Sequence, residues 1–495
     1  MKLEQLLKEL NIIEVRNNQL DCEIKKICYN SRVAEAGSLF VAIPGYVTDG
    51  HQYIDSAISQ GATAVIHQDD LADYQTEVVY IKVGDSRHAL GIVASCFYGK
   101  PSQSMVVTGI TGTNGKTSLT YMLKHIFETA GNTCGLIGTI HNLIGDQVVD
   151  NRGRTTPESL EVQEILKEMK DRGCSHLFME VSSHGLALDR VNGVDFDYGI
   201  FTNLTQDHLD YHKTFENYFN AKAKLFFQVK KVNIINGDDP WGQKLCQLLT
   251  ANKNAPVMTY GLNPGHDYFA RDLVFGSKGT AFTLVTTEWE EQLFLNIPGE
   301  FMVYNAIAAI IAALAEAVPM AVIREALATM PGVEGRMEIL DVEAPFDVII
   351  DYAHSPDSLE KLLLSVRKIF TGRIVLVFGC NGDRDKEKRP IMGRIAGAYA
   401  DMVVVTSDNP ASEKPSAIID AVVAGVREKT DQVATVELRQ EGIYYGASLC
   451  RPGDVLVLAG KGHEKQEIMK DETLYYNEWD TAREAVARLK LKSEN

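Results

Sequence analysis

Three glycines, Gly109, Gly112 and Gly115, lead directly into Lys116 and Thr117. Residues of these types at this spacing hold phosphate. The backbone N–H groups of a glycine-rich turn, with the positive end of the following helix, attract anionic oxygens. Lys116 then reaches the terminal phosphates, and the Thr117 hydroxyl joins a Mg²⁺ shell. The flanks agree with that chemistry. Met105 to Thr108 reads as a buried, β-branched strand. Leu119, Met122, Leu123, Ile126, Phe127 and Ala130 recur at helical steps until Gly131 ends the run. One position departs from the usual spacing, because Ile110 stands where a phosphate loop has its first glycine. The competing reading is a glycine-rich turn between strand and helix that holds no ligand.

Further polar groups gather where apolar runs end. Thr155 and Thr156 form one group, Glu180 with Ser182 and His184 a second, and Asn203 with Asp207, His208, Asp210 and His212 a third. Glu180 offers hard carboxylate oxygen to Mg²⁺, although a solvated acid at a strand end is the plainer reading. The Asp207–His212 group reads equally as a polar loop or a capped helix start. Lys222 and Lys224 lie on an amphipathic run from Tyr218 to Phe227, and by spacing alone they are surface lysines. In the last third, Asp351 with His354, Cys380 to Lys386, Asp408 to Ala411 and Gly460 to Glu464 again terminate apolar strands. Ligands in open α/β sheets sit beyond the carboxyl ends of strands. These clusters therefore predict a site facing a cleft. Ser31, Arg32, His51 and Gln52 read by composition as loop and surface residues.

The elements that must position these groups alternate between strand and helix. Strand patterns at Gly135–Ile140, His176–Val181, Tyr198–Thr202 and Val232–Ile235 are separated by helical ones, which predicts a mostly parallel sheet covered on both faces. The same rhythm returns from Val348 to Ala459. At 495 residues the chain should form three domains. Pro101 and Ser102 mark one join, and Gly332 to Glu338 reads as a hinge, so the expected boundaries are 1–103, 104–334 and 335–495. A net charge of −17 argues against a general nucleic-acid binder. The eight cysteines include no C-x-x-C pair, which argues against zinc and redox pairs and fits a reducing cytosol. Met1 to Leu10 is broken by charge and lacks the apolar core of a signal peptide. The longest apolar run, Ala306 to Ala315, is too short to span a bilayer.

Taken together, Thr111–Thr117, Glu180–His184, Asn203–Thr205 with Asp207–His212, Asp351–His354 and Gly460–Glu464 resemble the Mur ligases, along the whole chain and in order. Within that family the chain looks like the branch that adds the third residue of the stem peptide. The resemblance implies an α/β fold of three domains: an N-terminal UDP-binding domain, a central phosphate-loop domain and a C-terminal Rossmann-like domain for the amino acid. It implies an ATP-dependent ligase of peptidoglycan synthesis, and so a role in cell-wall biogenesis, cell shape and division. ATP would phosphorylate the D-Glu carboxylate of UDP-MurNAc-L-Ala-D-Glu, and the amine of a free diamino acid would attack the acyl phosphate. A cytoplasmic monomer is expected, with neither nucleic-acid nor membrane partners.

By the same resemblance, residues Thr111, Gly112, Thr113, Asn114, Gly115, Lys116 and Thr117 cradle ATP. Asn305 and Arg336 contact its adenine and ribose-phosphate, with Asp351 and His354 completing that side. Thr117 and Glu180 hold one Mg²⁺. His208 holds a second with Lys222, which in the family is carbamylated by CO₂. That modification turns an ammonium, normally of pKa ~10.4, into an anionic ligand. Lys116, His208, Lys222 and Arg384 would carry the chemistry. Ser31, Thr155, Thr156, Ser182 and Arg190 would bind the muramoyl dipeptide, and Arg384, Asp408, Asn409, Gly460 and Glu464 the incoming amino acid.

Two positions depart from the family pattern. Met302 replaces a common asparagine near ATP, and Ala411 replaces the arginine that grips the distal carboxylate of meso-diaminopimelate. An uncharged residue there, with Glu464 left to pair with a distal ammonium, favours L-lysine or L-ornithine as acceptor. Gly462, His463 and Glu464 are more typical of the diaminopimelate enzymes, which keeps that substrate as the alternative. A folylpolyglutamate-synthase-like ligase is a more remote alternative and would lack a module like residues 1–103. From another class, a nucleotide-gated binding protein would not need Glu180, His208, Lys222 and Arg384 around one site.

Overall fold

The computed structural model describes residues 1–45, 48–149, 153–252 and 255–493. It builds three sheets of α/β type. The first has five strands, in the order Ile12–Arg16, Val79–Val83, Ala62–His67, Ser38–Val41 and Lys26–Cys28. The last four are parallel, and Ile12–Arg16 joins antiparallel at the edge. Helix Ser86–Phe97 packs on this sheet and starts cleanly because the Asp85 carboxylate accepts from the Arg87 and His88 N–H groups.

The central sheet has eleven strands. Within it, strand Val106–Thr111 lies between His176–Glu180 and Tyr198–Phe201, parallel to both. All three are apolar runs buried on both faces, as a covered parallel sheet requires. Helix Lys116–Thr129 buries Leu119, Met122, Leu123, Ile126 and Phe127 against this sheet and against helix Glu300–Ala315. The small side chains Ala306, Ala308, Ala309, Ala312 and Ala313 permit that close approach.

The third sheet has six strands, in the order Glu338–Ile339, Asp347–Asp351, Val455–Ala459, Ile374–Phe378, Met402–Val405 and Val433–Thr435. All but the first pair in parallel. A small hairpin, Gln466–Ile468 with Thr473–Tyr475, stands beside it.

Several elements differ from the pattern-based reading. The opening amphipathic run forms only a short helix, Leu3–Leu6, and the β-branched Ile12 and Val15 that follow pair with Val83 and Ile81 of strand Val79–Val83. The hairpin Asn142–Ile144 with Gln147–Val149 and the antiparallel extension Tyr268–Leu295 lie outside the helix–strand rhythm, so periodicity did not announce them. The phosphate-loop strand runs on to Thr111, and Gly109 lies within it, where a β-carbon would sit 2.8 Å from Phe196. No helix among the described residues is long and apolar enough to cross a membrane.

Candidate active site

The turn Gly112–Gly115 joins strand Val106–Thr111 to helix Lys116–Thr129. Ile110 belongs to the strand, paired in register with Glu180 and Ile200. Its missing glycine therefore falls before the turn and leaves the cradle intact. Gly112 has φ +152°, and a β-carbon on it would stand 1.9 Å from Thr202 Oγ1. The next strand end clamps the turn. Thr202 Oγ1 donates to Asn114 O at 2.6 Å, Asn114 N donates to Asn203 Oδ1 at 3.0 Å, and Thr113 N donates to Asn203 O at 2.9 Å. Lys116 Nζ donates to Gly112 O and Thr113 O at 3.0 and 2.9 Å, so the ammonium lies over the loop it would serve. Burial lowers its pKa, opposed by Glu180 and Asp207.

Glu180 ends its strand fully buried, beside Thr117. Thr117 Oγ1 donates to Glu180 Oε2 at 3.1 Å, and Thr139 donates to the same carboxylate through N and Oγ1, each at 2.9 Å. Arg336 Nη2 donates to Thr117 Oγ1 at 3.3 Å. A hydroxyl and a carboxylate side by side next to a phosphate loop form a hard-oxygen donor set suited to Mg²⁺.

Lys222 is not the surface lysine its spacing suggested. It is 1% exposed, on helix Phe215–Ala223. Its Nζ donates to Gly112 O at 2.8 Å and lies 4.6 Å from the centre of the Tyr218 ring. Burial, and then the neighbouring Lys116, hold its pKa well below the usual value. Lys224, two residues on, is 51% exposed and is a surface lysine. His208 sits in the left-handed region at φ +53°, a conformation a non-glycine residue keeps only where its surroundings impose it. Its side chain lines the larger cleft, 45% exposed, with Nε2 3.4 Å from Asp207 Oδ2 and the His184 ring 4.8 Å away. Desolvation by the cleft walls pushes its pKa down to about 4, against the pull of Asp207.

Two cavities meet here. One, of about 370 Å³, lies against the loop and is lined by Asn114, Gly115, Asn305, Arg336 and Asp351. The other, of about 770 Å³, gathers Thr155, Thr156, Ser182, Arg190 and His208 on one wall and Arg384, Asn409 and Glu464 on the opposite wall. Tyr352 and His354 line both.

On the first cavity, the Asp351 carboxylate accepts from Met337 N at 2.6 Å and Ala353 N at 2.7 Å, and burial raises its pKa. His354 Nδ1 lies 2.8 Å from Tyr352 O, and burial lowers the His354 pKa. Asn305 Nδ2 donates to Met302 Sδ at 3.8 Å, so the methionine at this departure from the family pattern is a partner to the neighbouring amide. The Arg336 guanidinium lies over the Tyr352 ring, 4.4 Å from its centre.

On the second cavity, Glu464 accepts from Asn409 Nδ2 at 2.8 Å and from Tyr352 OH at 3.2 Å, and burial, with Asp408 nearby, raises its pKa. Arg384 stands exposed at the rim. Three expected contacts fall elsewhere. Asp408 is buried behind the wall, where its carboxylate lies 3.3 Å from the buried Lys461 Nζ; Lys461 in turn donates to Asn409 Oδ1 at 2.6 Å. Gly460, at φ +110°, turns the chain and donates to Asp351 O at 3.0 Å, lining neither cavity. Ser31 lies in the turn Ser31–Val33 of the first domain, also outside both linings.

Sequence reasoning passed over Tyr218, Asp357 and Glu158. Tyr218 covers Lys222 and lies 3.2 Å from Thr113 Oγ1. Asp357 accepts from Asn114 Nδ2 at 2.8 Å across 243 residues of chain. Glu158 is met by arginines from three segments. Long-range packing brings Asp357 to Asn114, and Arg87 and Arg190 to Glu158, and no local motif marks those contacts.

A three-domain α/β protein with a phosphate loop, a Thr117–Glu180 pair and a second cleft across the domain junction has the architecture of a nucleotide-dependent ligase. The chain belongs to the Mur ligase family. The family's catalytic domain matches residues 23–98, its middle domain 110–313 and its glutamate ligase domain 335–462. The UDP-N-acetylmuramoyl-L-alanyl-D-glutamate–2,6-diaminopimelate ligase of Clostridium botulinum is 45% identical over 493 residues, 99% of this chain and 100% of that one. The enzyme of the same name from Clostridioides difficile is 42% identical over 490 residues, again 99% and 100% of the two chains. A solved structure of a UDP-N-acetylmuramoyl-L-alanyl-D-glutamate–2,6-diaminopimelate ligase superposes with a TM-score of 0.71 at 28% identity, covering 99% of both chains.

Proposed function

We propose that this chain joins the amine of a diamino acid to the side-chain carboxylate of D-Glu in UDP-MurNAc-L-Ala-D-Glu, driven by ATP, in the cytoplasmic stage of peptidoglycan synthesis. The observation that carries the proposal is the shared wall. A cavity on the phosphate loop and a cleft holding Arg384, Asn409 and Glu464 are both lined by Tyr352 and His354. The expected acceptor is corrected here. The relatives quoted above are named for 2,6-diaminopimelate, and that amino acid replaces lysine as the leading reading. L-Lysine stays as a second reading on one observation: the cleft position that would carry a cation for a distal carboxylate is Ala411.

A carboxylate does not react with an amine directly, because oxide would have to leave. In the proposed sequence a carboxylate oxygen takes the terminal phosphoryl group of ATP and ADP departs. The amine then forms the C–N bond as phosphate leaves with the electron pair of the C–O bond. Lys116 and the loop N–H groups hold the phosphoryl group in line, and most of the rate comes from that positioning and charge compensation. Mg²⁺ would supply charge neutralisation on the phosphate oxygens. Thr117 and Glu180 are suited to hold one ion, and His208 and Lys222 a second. For Lys222 to serve it must be carbamylated. The depressed pKa supports this, because the neutral amine is the form whose lone pair adds to CO₂, losing a proton to give the carbamate. The proposal also takes residues 1–103, 104–334 and 335–495 as the UDP, nucleotide and amino-acid domains.

The test is release of inorganic phosphate with Mg²⁺, ATP, UDP-MurNAc-L-Ala-D-Glu and each of meso-diaminopimelate, L-lysine and L-ornithine. Release that depends on both the muramoyl dipeptide and a diamino acid is expected. Lys116→Ala should abolish it and leave binding of the UDP substrate within about two-fold. Turnover that survives Lys116→Ala would remove the role assigned to the loop.

A further inference from the structure

Glu158 lies immediately before helix Ser159–Asp171 and is 6% exposed. Arginines from three segments converge on its carboxylate. Arg87 Nη1 donates to Oε2 at 3.2 Å, and Arg154 Nη1 donates to Oε1 at 3.0 Å. Arg190 Nε lies 2.9 Å from Oε1, with its N–H directed off the oxygen. Three guanidinium groups thus share the Glu158 carboxylate. Arg154 and Arg190 line the larger cleft beside Thr155, Thr156 and Ser182.

Arg87 comes from the other side of the domain junction. It lies on helix Ser86–Phe97, and its Nε and Nη2 both donate to Pro44 O, at 3.0 and 2.8 Å. Arg190 Nη1 donates to Thr156 O at 3.2 Å. A continuous polar route therefore runs from Pro44 through Arg87, Glu158 and Arg190 to Thr156.

We infer that Glu158 is a positioning residue that holds Arg154 and Arg190 as the cationic wall for the anionic portion of the UDP-linked substrate and couples that wall, through Arg87, to the Pro44 loop of the first domain. The inference rests on the ligase reading above and adds to it a residue that does not itself touch substrate. Without the carboxylate the guanidinium groups lose the partner they share, and they separate or draw in a solution anion.

Glu158→Gln preserves the side-chain shape and removes the charge. The experiment measures KM separately for UDP-MurNAc-L-Ala-D-Glu and for ATP in wild type, Glu158→Gln, Arg87→Gln and the double variant. Glu158→Gln should raise KM for the muramoyl substrate by about ten-fold or more and leave KM for ATP within about two-fold. Arg87→Gln should shift the same KM by about three-fold or more, and the double variant should be no worse than Glu158→Gln by more than about two-fold. An unchanged muramoyl KM, an equal rise in both KM values, or additive losses in the double variant would overturn the inference. If Glu158→Gln does not fold, Arg87→Gln decides by the same split between the two KM values. Wild-type enzyme that releases no phosphate with the muramoyl substrate would sink the ligase reading itself, a failure recognisable before any variant is made.

Discussion

Replacing Ala411 by arginine should turn the acceptor cleft toward a substrate with two carboxylates. The backbone there is pinned. Ala411 N donates to Ile468 O at 3.0 Å, and Ile468 N donates to Asn409 Oδ1 at 3.0 Å. Ala411 already sits at φ +50°, so arginine inherits a left-handed strain that the alanine bears too. Glu464, fixed by Asn409 and Tyr352, faces the same space and suits an ammonium group. A guanidinium added beside it would supply the missing bidentate partner for a distal carboxylate. Hydrogen bonds to charged groups contribute about 1.5–3 kcal/mol, and a paired fork lies toward the upper end. Asp383 lowers that figure. It lines the same cleft, accepts from Ser412 N and Oγ one residue along, and would compete for the new cation.

A net gain of about 1.5–2.5 kcal/mol, at about 1.4 kcal/mol per decade, gives roughly a 10- to 60-fold rise in the kcat/KM ratio of meso-diaminopimelate over L-lysine. The assay is phosphate release at varied acceptor with saturating ATP and muramoyl dipeptide, for wild type and Ala411→Arg. Matched thermal melting of the two proteins guards against misfolding. A ratio that stays within about two-fold of wild type would refute the reasoning, whichever amino acid the wild type prefers.

Two further outcomes follow from the buried groups. If Lys222 is carbamylated, intact mass under CO₂-replete native conditions should show the mass of one added CO₂, absent in Lys222→Arg; an unmodified wild-type lysine would contradict the carbamate. His463 is held down to about 3 by burial, with Arg336, His141, His354 and Lys465 adding repulsion, against an ordinary value of 6.5. The unfolded chain therefore takes up this proton first. The neutral ring costs the fold nothing above about 6.5, and stability falls as pH drops from there toward 3, by about 1.4 kcal/mol per pH unit for this one group. His463→Gln should show a flatter loss of stability between those limits in denaturant titrations, and a slope equal to wild type would contradict the assignment.

The phosphate loop was legible in the sequence because everything it needs is local: a β-branched strand, glycines, a lysine and a helical run. Glu180, Asp351 and Glu464 were legible for a related reason, since each closes or follows an apolar strand, and ligands in open α/β sheets sit beyond such strand ends. Lys222 was not legible by spacing. Lys222 lies in the last turn of its helix and Lys224 caps it, and only the packing of Tyr218 and the loop carbonyl Gly112 O against Lys222 separates the two. Asp408 and Gly460 show the converse. Both stand at strand ends as the rule requires, yet one pairs with Lys461 behind the wall and the other turns the backbone. The antiparallel strands from Tyr268 to Leu295 escaped because helices cover one of their faces and exposed residues interrupt the apolar ones, so neither the helical nor the continuous apolar signature applies.

The contacts between the phosphate loop and the C-terminal domain bear on how the two halves of the reaction stay together. Asn114 Nδ2 reaches Asp357 on helix Pro356–Ile369, and Asp357 also lies 3.0 Å from Lys361 Nζ. Arg336, in the connector, donates to Thr117. Asn114, Arg336 and Lys361 all line the smaller cavity. A nucleotide entering that cavity therefore meets the same side chains that hold the domains against each other, so nucleotide occupancy and domain approach are set by one group of contacts. Tyr352 and His354, just after strand Asp347–Asp351, carry the wall shared with the amine cleft. An acyl phosphate exposed to water would be lost to hydrolysis, and excluding water until an amine is in place is the service a closing domain provides. Arg336, Tyr352, His354 and Asp357 lie close together in sequence, so the C-terminal side of the domain contact and the shared wall belong to one stretch, and the site that would activate the acid adjoins the one that would receive the amine.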